Sequence, residues 1–345
     1  METAMAPLEK LPGDGVTISD VAARAAVSIR TVSRVLNRST KVNSATQGRV
    51  ERAIAELNFS PSARARGLAT GRSYLLGVVH NDRNALVIDP VQRGVVEESA
   101  RRGYEMVVHP ASSEGAEVVQ AVLDFVRRSR VDGLIVLPPV SGTPGLGMAL
   151  TKAGVPCVAL SSIDLPHFAS LIVSREREAA ADVARFLLDT GHRRIALISG
   201  PQSVNSARER RAGFIDAIQT AGLEIEAEAE GDYGFDSGVR AAHAVLTARP
   251  TAIFAANDIM AAGVLKVAAM CGIAVPRDLS VVGFDGSLLA RMLTPALTSV
   301  YRPIGDMARQ ATTCLIDVIE GKQVQQHWLV QLEMAHADSV GTPSH

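Results

Sequence analysis

Beyond residue 73 the chain alternates short, nearly unbroken apolar runs with amphipathic stretches, and it does so for more than two hundred residues. Runs at 74–79, 105–109, 133–137, 157–160, 195–199, 252–255 and 279–284 have the length of buried strands. Between them, 91–102, 178–190, 207–221, 238–248 and 258–270 carry apolar residues at helical spacing. Strand and helix in alternation predict an α/β body built on parallel sheets, because each parallel pair needs a long crossover that a helix supplies. So long a body favours two lobes with a cleft between them.

Residues 16–57 follow another pattern, three short helices without strands. Thr17 and Asp20 mark a helix start, the hydroxyl taking an orphan amide and the carboxylate sitting where the helix dipole favours it. Val21, Ala22 and Ala25 give its inner face. A turn at 26–28 leads to Ser28, which caps a second helix over 29–36 with Val32, Val35 and Leu36 inward and Ile29, Arg30, Ser33 and Arg34 outward. A third helix, 44–57, carries Val50, Ile54 and Leu57 on one stripe. Two short helices joined by a tight turn, the second presenting arginines, form a helix-turn-helix DNA reader.

Charge supports this division. The chain as a whole has a net charge of −1, yet residues 16–72 hold ten Lys and Arg against three Asp and Glu. A basic module on a mildly acidic body suits a nucleic-acid partner. An arginine gripping guanine O6 and N7 gives about 1–3 kcal/mol of base discrimination. Thr17, Thr31, Ser33 and Asn37 are suited to phosphates.

No run approaches the ~20 apolar residues of a membrane span. Residues 1–15 carry Glu2, Glu9 and Asp14 without an apolar centre, which is not a secretory signal but a disordered tail. Cys157, Cys271 and Cys314 lack zinc or disulfide spacing and read as buried small apolar residues in a reducing cytoplasm.

Residue identity adds a resemblance. The stretch VTISDVAARAAVSIRTVSRVLN (16–37), with RV at 49–50, AIAEL at 53–57 and FSPSARARGL at 59–68, resembles the opening of the lactose-repressor/galactose-repressor (LacI/GalR) regulators. In the body, VDGLIV (131–136), GHRRIALISG (191–200), AAND (255–258) and VVGFD (281–285) look like the family's periplasmic-binding-protein-like effector domain, and PALTSV (295–300) like its segment recrossing between lobes.

The resemblance implies a helix-turn-helix domain over 16–60, a hinge helix and linker over 61–73, an effector-binding and dimerisation domain over 74–337, and a flexible tail over 338–345. Lobe 1 is expected to comprise 74–172 and 302–322, lobe 2 173–300 and 325–337. Ile29, Arg30 and Arg34 then take base-reading positions, with Thr17, Ser28, Thr31, Ser33 and Asn37 around them. Ala26 stands where a glycine is common; a positive φ there would cost an alanine on the order of 1 kcal/mol.

The hinge, too short to hold a helix alone, is expected to fold only on DNA. Ala63, Arg64 and Arg66 then lie along phosphates or groove edges, and Leu68 matches the leucine that wedges a base step open. For the effector, Arg210 in RRAGF (210–214) matches the arginine that grips it and Asp285 the carboxylate that accepts sugar hydroxyls. Asn81, Asn257 and Asp258 follow strand ends, where doubly wound sheets bind ligands, and Tyr233 fits an aromatic position that stacks on a pyranose. NDRNALVI (81–88) departs from the family's usual Asn-Pro-Phe-Phe type, and VSRE (173–176) from its usual Val-Asp-Asn.

These readings imply a cytoplasmic homodimer on a near-palindromic operator, pairing through 91–102 and 264–271, with a sugar or sugar-like effector between the lobes and no cofactor or metal. An enzyme on the same scaffold finds little support. GTPGLG (142–147) lacks dinucleotide spacing, His192 reads as a turn histidine, and no Gly-x-Ser-x-Gly elbow, Walker lysine or His-Glu-x-x-His occurs. A transport binding protein would leave the DNA reader unexplained.

Overall fold

The computed structural model describes residues 16–36, 41–59, 71–81, 84–111 and 116–343. The chain divides into two compact units that meet between Ser73 and Tyr74.

In the first unit α1 (Ile18–Arg24), α2 (Ile29–Leu36) and α3 (Ser44–Glu56) enclose a core of Val21, Val32 and Val50, all fully buried. Thr17 and Asp20 cap α1 reciprocally: each side chain accepts the other's backbone amide. Asn43 caps α3, accepting the amide of Thr46 at 2.8 Å. Ala26 takes the positive φ its position demands, +52°. The turn is tight enough to force it.

The second unit contains two six-stranded sheets. The first, ordered β11-β5-β4-β3-β1-β2, is parallel throughout: β1 (Leu75–His80), β2 (Glu105–Pro110), β3 (Gly133–Val136), β4 (Cys157–Ser161), β5 (Ser170–Ser174) and β11 (His327–Val330). Against it pack α4 (Ala85–Arg102), α5 (Ala116–Ser129), α6 (Leu146–Lys152) and α12 (Ile304–Ile319). The second sheet runs β12-β10-β9-β8-β6-β7, with β6 (Ile195–Ser199), β7 (Ala227–Glu230), β8 (Ala252–Ala255), β9 (Ser280–Asp285), β10 (Thr298–Tyr301) and β12 (Glu333–Ala335). Only β12 is antiparallel to its neighbour among these pairs. Its helices are α7 (Glu176–Asp189), α8 (Asn205–Thr220), α9 (Phe235–Leu246), α10 (Asp258–Met270) and α11 (Leu288–Met292).

The chain crosses between sheets three times: from β5 to α7, from β10 to α12, and from β11 to β12. The second follows the segment expected to recross. Arg175 donates its amide to the carbonyl of Val330 at 3.1 Å, tying the first crossing to the third.

Several expectations change. Residues 327–330, assigned from sequence to lobe 2, form β11 beside β5 in the first sheet, because a sheet edge is completed by whichever strand returns to it. The expected flexible tail is packed as far as residue 343: Ser339 is fully buried, its hydroxyl donating to the carbonyl of Val281 and accepting the amide of Thr298. His192, buried, reaches the carbonyl of Gly341 with Nε2 and the hydroxyl of Thr251 with Nδ1, both at 2.9 Å. Helix α4 begins at Ala85 rather than 91, with Pro90 inside it.

Of the pairing surfaces, Val91 and Val95 go into the first lobe's own core, as do Val264, Val267 and Ala268 into the second's, leaving Val96, Met270 and Cys271 outside. Cys271 is therefore not a buried cysteine. Among the described residues no helix is long and apolar enough to cross a membrane, and no group of three or more His, Cys, Asp or Glu is placed to hold a metal.

Candidate DNA-reading and effector sites

Helix α2 buries Val32 and Val35 and turns Ile29 and Arg30 to solvent, with Thr31, Ser33 and Arg34 half-buried beside them. Ser28 accepts the amide of Thr31 at 3.2 Å, and the two hydroxyls lie 3.0 Å apart. The Thr17 hydroxyl donates to the Asp20 carboxylate at 2.7 Å. Thr17 and Ser28 thus fix the helix starts, while Arg30 and Arg34 stay on the surface that α2 presents. Asn37, Ala63, Arg64, Arg66 and Leu68 lie outside the described residues.

In the second lobe the predicted residues converge on Arg210. Helix α8 carries it inward, almost fully buried, and its guanidinium lies 3.7 Å from the ring centroid of Phe284 and 5.9 Å from that of Tyr233. Its Nε donates to Glu176 Oε2 at 2.7 Å and its Nη1 to the carbonyl of Ala256. Nη2 stands 3.6 Å from Asp285 Oδ1. Arg302 meets the same carboxylates from the other side, 3.0 Å from Asp285 and 3.7 Å from Glu176. Ser174 donates its hydroxyl to Glu176 Oε1 at 2.9 Å. Two guanidiniums and two carboxylates therefore form one buried, mutually compensating cluster.

Asp258 opens α10 behind it, receiving the Ser287 amide at 2.7 Å, the Ser287 hydroxyl at 2.8 Å and the Ser299 hydroxyl. Asn257 uses both ends of its amide internally, accepting from Met260 N at 2.8 Å and donating to the carbonyl of Tyr233 at 2.9 Å. Tyr233 and Asp285 both have positive φ, +67° and +106°. Such backbone costs about 1–3 kcal/mol per residue and persists only where its surroundings over-determine it.

Burial would raise the Glu176 carboxyl, but Arg210 and Arg302 outweigh it and hold its pKa below the usual value. Burial likewise opposes the charge of Arg210, and Glu176, Tyr233 and Asp285 more than restore it. Asp258 has no cation of its own among the described residues: burial and the neighbouring Asp285 carboxylate push it up to about 7.

A cleft of about 400 Å³ adjoins the cluster, with Leu86 and Pro90 of α4 on one wall and Asp285, Ser287, Tyr301 and Arg302 on the other. It spans both lobes. Asn81, half-buried, follows the end of β1 on the first lobe's side. Of the predicted set only Asp285 lines the cleft; Arg210 contacts it at 3.6 Å from inside the lobe, and Asn81, Tyr233, Asn257 and Asp258 are not among the lining residues. A separate hollow of about 450 Å³ between α7 and α8, lined by Arg177, Glu178 and Thr220 among others, contains none of the predicted residues.

Sequence reasoning missed Glu176 and Arg302, although VSRE was marked as a departure. Both sit at crossings between the lobes, a placement visible only once the strands are ordered. It also missed Ser162, whose buried hydroxyl follows the end of β4 without a hydrogen-bond partner among the described residues.

Known proteins match both units. A model of the lacI family of bacterial regulatory proteins matches residues 17–62, and one of a periplasmic binding protein-like domain matches 184–335. The chain is 34% identical over 316 residues to the HTH-type transcriptional repressor PurR of Pectobacterium atrosepticum, covering 90% of this chain and 92% of that one. Among solved structures, the lac repressor dimer bound to operator and the anti-inducer ONPF superposes with a TM-score of 0.79 at 29% identity, covering 94% of this chain and 99% of that one. A complex of the transcriptional regulator CelR with cellobiose gives 0.70 at 30% identity and the same coverage.

Proposed function

The chain belongs to the lacI family of bacterial regulatory proteins, and on that premise we propose that a sugar or sugar derivative, bound between its lobes, controls it. Like its relatives it is a DNA-binding transcriptional repressor and not an enzyme. It pairs as a dimer on operator DNA, and a repressor of bacterial genes works in the cytoplasm.

Each α2 lies in a major groove, with Arg30 and Arg34 on base edges and Ile29 against the bases. Thr31 and Ser33 face phosphates, with Thr17, Ser28 and Asn37 setting the module's register. Ala63, Arg64, Arg66 and Leu68, outside the described residues, are assigned DNA contacts in the hinge, with Leu68 as the wedge at a base step.

One observation carries the effector reading: a cleft between lobes ends on a carboxylate and a guanidinium, Asp285 and Arg302, 3.0 Å apart. A hydroxyl suits that pair because it donates to one and accepts from the other. Asn81 contributes from the first lobe, and Arg210 and Tyr233 back the pocket. Asn257 and Asp258 hold Tyr233 and the loop at Ser287 rather than touching the ligand. The relative solved with cellobiose is consistent with a saccharide here.

The test is a thermal-shift screen against sugars, followed by operator binding across a salt series with and without each hit. A sugar that stabilises the chain and changes operator affinity supports the reading. Sugars that bind yet leave affinity unaltered refute it.

A further inference from the structure

Glu176 has no part in the function just described, yet it holds the centre of the site's charge. It is 1% exposed and contacts both guanidiniums, Arg210 at 2.7 Å and Arg302 at 3.7 Å. The Ser174 hydroxyl holds it from a third side. With Asp285 it makes the count even: two cations face two carboxylates, and Asp258 adds a third acid behind them.

Among the described residues an anionic ligand at the end of the cleft would meet no uncompensated positive charge, and Glu176, 1% exposed, has no route to water by which to make room. In so buried a site a further negative charge is strongly disfavoured. A hydroxyl meets no such opposition. Among the described residues Arg302 also keeps a buried Nε without a hydrogen-bond partner, a donor that a neutral oxygen satisfies.

We propose that Glu176 is a charge filter: by neutralising Arg210 and Arg302 from behind, it makes the cleft accept an uncharged, hydroxyl-rich ligand and refuse the same skeleton bearing phosphate or carboxylate. The proposal rests on the effector reading above and narrows it to a class. It also gives the departure at VSRE a chemical role, because the carboxylate comes from that segment.

The sole tryptophan, Trp328, lies in β11, so tryptophan fluorescence follows unfolding of the effector unit in the full chain. Inorganic phosphate serves as the anionic probe, against chloride at equal ionic strength; glucose and galactose are paired with their 6-phosphates. Wild type is expected to show no phosphate-specific stabilisation. Glu176→Gln is expected to melt lower, to be raised by phosphate with an apparent affinity about tenfold tighter or more, and to lose that gain when Arg302→Met is added.

Stabilisation of wild type by phosphate, a sugar phosphate preferred to its parent, or a Glu176→Gln chain indifferent to phosphate overturns the filter. So does a phosphate gain that survives the loss of Arg302. If Glu176→Gln fails to fold, the wild-type arm decides, since refusal of phosphate is required and its acceptance is refuting. Should no parent sugar bind while the variant gains phosphate, the sugar reading fails and the filter stands.

Discussion

The buried cluster makes a quantitative demand that a double-mutant cycle can check. Removing Glu176 as Gln leaves two guanidiniums facing Asp285 alone, and replacing Arg210 by Met leaves Glu176 and Asp285 with Arg302 alone. Breaking a buried pair by deleting one partner costs about 3–5 kcal/mol, because the survivor keeps its charge without compensation. For Arg210→Met an escape caps the loss. Glu176 can take a proton, which from an ordinary carboxyl pKa costs about 3 kcal/mol at pH 7.

Each single variant should therefore lose about 3 kcal/mol, and independent effects would sum to about 6 kcal/mol. The double variant leaves Arg302 and Asp285, a balanced pair 3.0 Å apart, and should lose only about 3 kcal/mol, a coupling of about 3 kcal/mol. Urea unfolding followed at Trp328 reads all three values. Arg210→Met alone should also recover stability as pH falls toward 5, where the escape is cheaper. An additive double variant would refute the claim that Glu176 and Arg210 compensate each other.

Three further outcomes are expected. Arg34→Ala should relax base preference by about 1–3 kcal/mol at one operator position while leaving the melt unchanged, and equal affinity ratios across mutated operators would contradict base reading by α2. Asp258 titrates at about 7 in the folded unit against 3.8 ordinarily, so the folded form binds more protons between those values and stability falls as pH rises through that window; the wild-type slope minus that of Asp258→Asn should be negative there, by melts across pH. A Cβ on Gly94 would lie 2.2 Å from the carbonyl oxygen of Gly305, whereas one on Gly305 would lie 3.2 Å from that of Pro90; Gly94→Ala should thus destabilise by about 1–3 kcal/mol or more and Gly305→Ala by less, and equal melts would refute backbone contact between α4 and α12.

What the sequence disclosed follows from how local each signal is. Helix starts were legible because capping is a matter of three adjacent residues, as at Thr17 and Asp20. Buried strands such as β6 and β8 were legible because a parallel strand covered on both faces is a continuous apolar run. Edge strand β7 was not: its burial alternates along Ala227–Glu230, and four residues of alternation do not stand out. β11 was assigned to the wrong lobe since its partner β5 lies about 155 residues earlier, as in the contact of Ser170 with Gln325. Arg210 and Asp285 were visible as members of a resembling motif, while Glu176 and Arg302 depended on crossings that no local pattern encodes. Ala26 shows the reverse case, where a departure from glycine predicted the strained backbone that the turn then displays.

The position of the cluster also bears on how a ligand reaches the DNA module. The effector unit begins at Tyr74, whose amide donates to Asp132 at 2.8 Å and whose carbonyl accepts from Glu105, so the start of the unit is fixed to the first lobe. The cluster is anchored in the second lobe through Arg210 and Asp285. Covalently the lobes communicate only by three crossings, and two of these bear Glu176 and Arg302. A hydroxyl bound across the Asp285–Arg302 pair would therefore act on a crossing directly and need no relay through either core. Coupling of about 1–3 kcal/mol alters operator affinity about 5–150-fold, and the loss or gain of one contact among these buried charges is of that size. A ligand held elsewhere in the cleft, clear of both crossings, would have to move packed sheets to do as much.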